Sequence, residues 1–141
     1  MIGRAIISSN TLVVYSPTAI EKYTKKNRDD FEGLLAHELS HIFYHHLNYP
    51  NSIEIFNEGI AKYIQNVLIK NEKVNYDYLI DQIDIFQEFG KDIYKEGLFI
   101  VYKIITELGK ERLFELLNKL SKENRKEYIQ ETFNNLIKKA L

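Results

Sequence analysis

The chain begins with β-branched and apolar residues and then changes to helical periodicity. Ile6-Ile7 and Leu12-Val13-Val14-Tyr15 flank the polar segment Ser8-Ser9-Asn10-Thr11, a pattern that predicts two short strands around a turn. Ser16-Pro17 supplies a capping residue followed by proline at the first helical position, and apolar residues then recur at helical spacing. The pattern predicts a small N-terminal β-sheet, from Arg4 to Tyr15, followed by a mainly α-helical part.

Capping residues and glycines divide the helical part into segments. Predicted helix starts are Asp29 or Asp30, Ser52 and Asn75, and predicted ends are Gly90 and Gly109. The turn signal Asn48-Tyr49-Pro50-Asn51 separates the second helix from the third. We find no repeat, low-complexity tract or linker, so residues 1–141 are predicted to form one α+β domain. Its predicted helices are 17–26, 29–47, 52–69, 76–89, 91–108, 110–121 and 123–140.

Some residues in these helices predict which positions pack against other helices and which face solvent. Gly33 and Gly97 reduce helix stability, which indicates either close helix packing or simple tolerance of glycine. The segment 119–127, rich in Lys and Glu, is predicted to be a solvated face. Apolar residues at helical spacing predict core positions at Leu113, Phe114, Leu116, Leu117 and Leu120.

Composition limits the kinds of chemistry that are available. The chain has 45% hydrophobic and 13% aromatic residues in 141, enough to bury roughly two thirds of its unfolded surface around one core. The net charge of −1 produces no overall field that would attract nucleic acid or an anionic membrane. Because cysteine is absent, disulfides and thiolate ligands are excluded, and any metal would depend on His, Asp and Glu.

Location can be addressed only through targeting and membrane signals. The first residues lack the apolar core and cleavage site of a signal peptide. No run reaches the roughly 20 apolar residues that a membrane span requires. The expectation is a cytoplasmic protein without a membrane segment, although a domain excised from a secreted or anchored protein would have the same sequence.

The segment His37-Glu38-Leu39-Ser40-His41 fits the pattern HExxH and falls inside a predicted helix. Side chains four residues apart project from one helix face with Cβ atoms about 6 Å apart, so both imidazoles can reach one ion. Glu38 then points toward the space beside that ion, as in zinc hydrolases. The alternative is a pair of ordinary helix histidines, with Glu38 as a charge on the helix face.

Glu58, in the next predicted helix, is the candidate third ligand. The turn at Pro50 predicts an antiparallel helix pair, and His41 and Glu58 each lie about one to two turns from that turn. Two imidazoles and one carboxylate leave a coordination position open for water, which is typical of catalytic zinc sites. Glu54, one turn earlier, is the alternative ligand.

These motifs resemble the gluzincins, and in particular the M1 aminopeptidase-like (peptidase MA-like) family. The likeness starts from the HExxH segment and from Asn57-Glu58-Gly59, which follows sixteen residues after His41. It extends to Tyr94-Lys95-Glu96-Gly97, similar to a family segment in which a Tyr three residues before a Gly stabilises the oxyanion. The resemblance covers about residues 10–120.

The resemblance implies a zincin-like domain that binds one Zn²⁺ per chain through His37, His41 and Glu58. It assigns the catalytic base to Glu38, which takes a proton from zinc-bound water as the water attacks the scissile carbonyl. It assigns the oxyanion contact to Tyr94, for which Tyr63 and Tyr102 are alternatives. The implied substrate is a peptide or protein, held along the edge of the strand at 11–15.

The chain departs from the family in two respects. The spacing from His41 to Glu58 is slightly shorter than in typical M1 enzymes. The exopeptidase segment Gly-Ala-Met-Glu-Asn is missing, so the resemblance does not extend to recognition of a free amino terminus.

His45 and His46 are predicted to lie at the surface near a helix end, since His45 is about 12 Å along the helix from His37. The third His of metzincins would fall on Leu47.

The sequence therefore predicts a zinc metallopeptidase that hydrolyses peptide bonds. A second hypothesis is a zinc-binding but latent or catalytically silent domain that acts in protein interaction, with the cleft covered by a segment such as the C-terminal helix. A third is a helical interaction module in which the HExxH pattern is accidental.

Overall fold

The computed structural model describes residues 3–27, 30–47, 53–74, 92–122 and 125–140. Helices form most of this part of the chain, and a small sheet lies at its N-terminal end, which confirms the predicted α+β class. The predicted helix 76–89 and the turn at Pro50 lie outside the described residues, as do the helix boundaries proposed at Ser52, Asn75 and Gly90.

The N-terminal residues form a β-hairpin, as predicted. Strand β1 (Gly3–Ile6) pairs antiparallel with strand β2 (Thr11–Val14). A 3₁₀ turn at Ile7–Ser9 and Asn10, at φ 50°, connect them. Asparagine tolerates this left-handed conformation because its short side chain can hydrogen-bond to nearby backbone.

Local signals fix most of the helix ends. Ser16 caps the first helix by accepting a hydrogen bond from the Ala19 amide, and Pro17 occupies the first turn. Asp92 caps the fourth helix, which ends at Gly109 with φ 87°. The helices are α1 (Pro17–Tyr23), α2 (Asp30–His46), α3 (Glu54–Lys62), α4 (Ile93–Leu108), α5 (Lys110–Lys122) and α6 (Lys126–Ala140).

Helix α3 does not continue as a regular α-helix to residue 69, contrary to the prediction. From Tyr63 to Ile69 the backbone forms wider π-helical turns, and the Lys70 amide donates to the Gln65 carbonyl five residues earlier. Gln65 is buried there and packs near Gly33 of α2. The wider turns therefore belong to the contact between α2 and the end of α3.

The main hydrophobic core lies among α3, α4, α5 and α6. Phe56 and Phe133 are fully buried and meet edge to face, with ring centroids 5.2 Å apart. Phe114 is wrongly predicted as core, because it is 47% exposed on the outward face of α5. In the segment 119–127, the residues at 119, 122 and 125–127 are exposed as expected, whereas Leu120 is buried. The other predicted core residues are confirmed as buried, namely Leu113, Leu116, Leu117 and Leu120.

The backbones of α3 and α4 touch at two glycines. A Cβ atom added to Gly59 would lie 2.9 Å from the Gly97 Cα, and one added to Gly97 would lie 2.9 Å from the Gly59 Cα. Ordinary carbon contacts are about 3.5 to 4.0 Å, so neither position has room for a side chain. Of the two interpretations of Gly97, close packing is therefore the correct one. The contact places the first turn of α4 beside Glu58.

The length and apolar character of a helix decide whether it can span a membrane. Helix α2, with 17 residues, is the longest helix among those described. None of the helices in the described ranges combines the length and the apolar character needed to cross a bilayer.

Candidate metal centre

Helices α2 and α3 bring the three predicted ligands together. His37 Nε2 lies 3.5 Å from Glu58 Oε2, and His41 Nε2 lies 3.7 Å from Glu58 Oε1. The two imidazole rings are nearly perpendicular, with centroids 4.9 Å apart. One ligand atom from each residue falls within 4.8 Å of the others. The spacing of four residues thus places both imidazoles on the face of α2 that meets Glu58.

The geometry of this group fits one small cation. Ligands bound to zinc at about 2.1 Å in tetrahedral geometry lie roughly 3.4 Å from one another. The nitrogen–oxygen distances of 3.5 and 3.7 Å match this separation and exceed the length of a good hydrogen bond. Within the part of the chain that the structure describes, the buried atoms His37 Nδ1 and Glu58 Oε2 also have no hydrogen-bond partner. A shared cation would give Glu58 Oε2 a partner. Without one, burial of this oxygen costs free energy.

Charge favours the ionised form of Glu58. Burial raises the pKa of this carboxyl, but the contact with His37 and the charges of His41 and Lys62 more than compensate. The pKa of Glu58 therefore lies below its ordinary value. Deprotonated carboxylate is the form that binds a metal.

Asn57 orients one of the imidazoles. Its side-chain Oδ1 lies 2.9 Å from His41 Nδ1, and because a carbonyl oxygen only accepts, Nδ1 carries the proton. When the ring is neutral, the lone pair is then on Nε2, which faces Glu58. The sequence interpretation left the groups that orient the histidines unidentified. The signal for this one was the position of Asn57 directly before Glu58.

Glu38 lies between the ligand helix and the sheet. Its side chain is 9% exposed. A Cβ atom added to Gly3 would lie 3.1 Å from Glu38 Cγ and 3.2 Å from its Oε1. Strand β1 therefore lies directly against the candidate base, and of the two strands β1 makes the larger contact with α2. The strand at 11–15, along whose edge the resemblance implies a bound substrate, corresponds to β2, which pairs with β1; its role in substrate binding stays a prediction.

Tyr94 lies in the first turn of α4 and is 48% exposed. The charge of Glu58 is the largest cause of its raised pKa, followed by burial and by the charges of Glu54 and Glu38. These effects indicate that the phenol lies within electrostatic reach of the candidate centre. Lys62 Nζ lies 5.4 Å from the centroid of its ring.

The alternative residues occupy other surroundings. Tyr63 and Tyr102 pack near each other, with ring centroids 6.3 Å apart, and Tyr63 also contacts the hydrophobic core. Glu54 is exposed, whereas Glu58 belongs to the ligand group. The geometry therefore favours Glu58 over Glu54 as the third ligand of the candidate site.

His45 and His46 lie at the surface near the end of α2, as predicted. His46 Nε2 is 2.8 Å from Asn10 Oδ1, which ties the end of the helix to the hairpin turn. Leu47, at the metzincin position, is 54% exposed.

Comparison with known proteins finds no matching family model, curated protein or solved structure. The resemblance to gluzincins therefore depends on the motif residues of the sequence alone.

Proposed function

We propose that this chain is a zinc-dependent metallopeptidase whose metal is held by His37, His41 and Glu58. The observation that carries the proposal is the meeting of two imidazoles and one carboxylate from two helices, within 4.8 Å. Three protein ligands leave a position open, as in catalytic zinc sites. A bound Zn²⁺ would supply Lewis-acid chemistry, polarising the scissile carbonyl and lowering the pKa of water.

The remaining chemistry belongs to side chains around the ligands. Glu38 follows His37 directly on α2 and acts as the general base, taking a proton from water and passing it to the leaving amine. Tyr94 donates a hydrogen bond to the oxyanion that develops on the carbonyl. Asn57 holds His41 in the tautomer whose Nε2 faces the site.

Metal content and peptide cleavage together test this proposal. The wild-type chain is expected to bind one zinc ion, and Glu58→Ala to lose it. Glu38→Gln is expected to retain the metal and lose cleavage of a mixed peptide library. Glu54→Ala is the matched control, because Glu54 is exposed and lies one turn from Glu58 on the same helix. Zinc retained by Glu58→Ala but lost from Glu54→Ala would transfer the ligand role to Glu54.

The same measurements separate the rival functions. Stoichiometric zinc without cleavage of any peptide indicates the catalytically silent zinc-binding domain. Activity that appears only after truncation of α6 indicates latency, although α6 packs chiefly on α4, with Phe133 in the core. The absence of zinc binding indicates an interaction module with an accidental motif.

A further inference from the structure

Lys62 lies beside the candidate metal centre. It follows Glu58 by one helical turn, so both side chains project from the same face of α3, roughly 6 Å apart along the axis. Its Nζ is 5.4 Å from the centroid of the Tyr94 ring and donates a hydrogen bond of 3.2 Å to Gln65 Oε1. The ammonium is thus held in a defined place, near the Tyr94 ring and the Gln65 side chain.

The ion pairs formed among the described residues do not include Lys62. Among the described residues, no Asp or Glu oxygen lies within 4.0 Å of its Nζ. Lys70, by contrast, pairs with both Asp30 and Glu72. Partial burial of an ammonium without an ion-pair partner is costly, and such a cation is available to an anionic ligand.

Lys62 lies within electrostatic reach of both cationic and anionic side chains. Burial is the largest influence on the pKa of Lys62 and lowers it, and the charge of Lys26 lowers it further, while Glu58 acts in the opposite direction. Lys26 is therefore a second cation that contributes to the electrostatic potential around Lys62. A ligand carboxylate placed there would experience both charges.

We infer that Lys62 forms an anion-binding subsite beside the metal centre and that this subsite takes a carboxylate of the peptide substrate. The inference rests on the proposed peptidase function. An extended peptide advances about 3.3 Å per residue. An offset of roughly 6 Å along α3 therefore places the carboxylate about two residues from the scissile bond. Two chemical sources fit, the C-terminal carboxylate of a short peptide and an acidic side chain.

Binding and cleavage of matched peptides test the subsite. The peptides form an alanine-rich series in which one Glu or Gln is moved through every position, each made with a free and with an amidated C-terminus. Dissociation constants are measured by calorimetry on zinc-loaded Glu38→Gln protein, which binds without turnover. The added substitutions are Lys62→Met, Lys62→Arg and, as control, Lys95→Met. Lys95 lies next to Tyr94 but is 76% exposed and pairs with Asp92.

Lys62→Met is expected to weaken binding of the carboxylate peptides about tenfold, the size of one lost charged hydrogen bond. Binding of the matched Gln and amidated peptides should change little. Lys62→Arg should retain the preference for carboxylate peptides. A preference that depends on the free C-terminus assigns the C-terminal carboxylate, and one that follows the Glu position assigns a side chain. Equal loss for charged and neutral peptides, or no binding of any carboxylate peptide, would overturn the subsite.

Peptide-cleavage assays on protein that retains Glu38 separate this inference from the proposed function. Peptide cleavage with no preference for a carboxylate overturns the subsite and leaves the peptidase proposal standing. Binding that depends on Lys62, in a protein that cleaves no peptide, supports the subsite and contradicts the peptidase proposal.

Discussion

Replacing Gly97 by alanine tests whether the contact between α3 and α4 holds the fold and the site together. The new Cβ would lie 2.9 Å from both the Cα and the amide nitrogen of Gly59, and still nearer to the Ile55 carbonyl oxygen. Because carbon contacts are normally about 3.5 to 4.0 Å, α4 must move away by roughly 1 Å. The neighbouring atoms are all backbone, so no side chain can rotate away.

The expected loss of stability follows from two opposing terms. Overpacking of this kind costs about 3 kcal/mol, at the upper end of the usual range because backbone meets backbone. Alanine gains about 1 kcal/mol over glycine in helix propensity. The net loss is about 2 kcal/mol, which in a domain of this size lowers the melting temperature by roughly 8 °C.

Thermal and denaturant unfolding, followed by circular dichroism, measures the effect, with Gly33→Ala as the matched control. A Cβ at Gly33 would lie 3.2 Å from Gln65 Cγ and 3.5 Å from Lys70 Cε, which belong to flexible side chains. This control is expected to be neutral or slightly stabilising. If Gly97→Ala unfolds at the same temperature as Gly33→Ala, the close contact does not limit stability and the reasoning is wrong.

The same variant separates the metal from the chemistry. The candidate ligands come from α2 and α3, whereas α4 contributes only Tyr94. We therefore expect folded Gly97→Ala to retain zinc while its turnover falls, because the phenol moves relative to Glu58. Equal loss of both would mean that α4 also supports the ligands.

The other predictions concern single side chains. Asn57→Ala should weaken zinc binding about 10- to 100-fold, since His41 loses its orienting acceptor, while Asn57→Asp, which keeps an acceptor, should weaken it less. Tyr94→Phe should keep zinc but lower turnover roughly 100-fold, as expected for one oxyanion donor. Asp30 has a lowered pKa, chiefly through its hydrogen bond with Lys70. Asp30→Asn should therefore destabilise the protein near neutral pH; the difference from wild type should begin to shrink as the pH falls through about 4 and should vanish only below the lowered folded-state pKa of Asp30.

Each of these predictions has a result that would contradict it. Unchanged zinc affinity in Asn57→Ala would show that His41 needs no orienting partner. Equal turnover in Tyr94→Phe and in Tyr23→Phe, a change at a residue 69% exposed, would remove Tyr94 from the reaction. A constant difference between Asp30→Asn and wild type down to acid pH would show that the ion pair with Lys70 does not contribute through its charge.

Local chemistry in the sequence determined much of this protein. Ser16-Pro17 fixed the start of α1, Gly109 fixed the end of α4, and β-branched, apolar runs on either side of a polar segment fixed the hairpin. The spacing of His37 and His41 placed both imidazoles on one helix face. These features follow from dihedral angles and helical periodicity, which act within a few residues of each other.

Tertiary structure decided which faces meet. Phe114 follows Leu113 by one residue, about 100° around the helix, and points to solvent although both are apolar. The Asn57 contact with His41 depends on how closely α2 and α3 approach. Likewise, Gly3 lies against Glu38 because α2 packs on β1. Such contacts join residues far apart in the chain, so their distances depend on packing of the whole domain rather than on any local pattern.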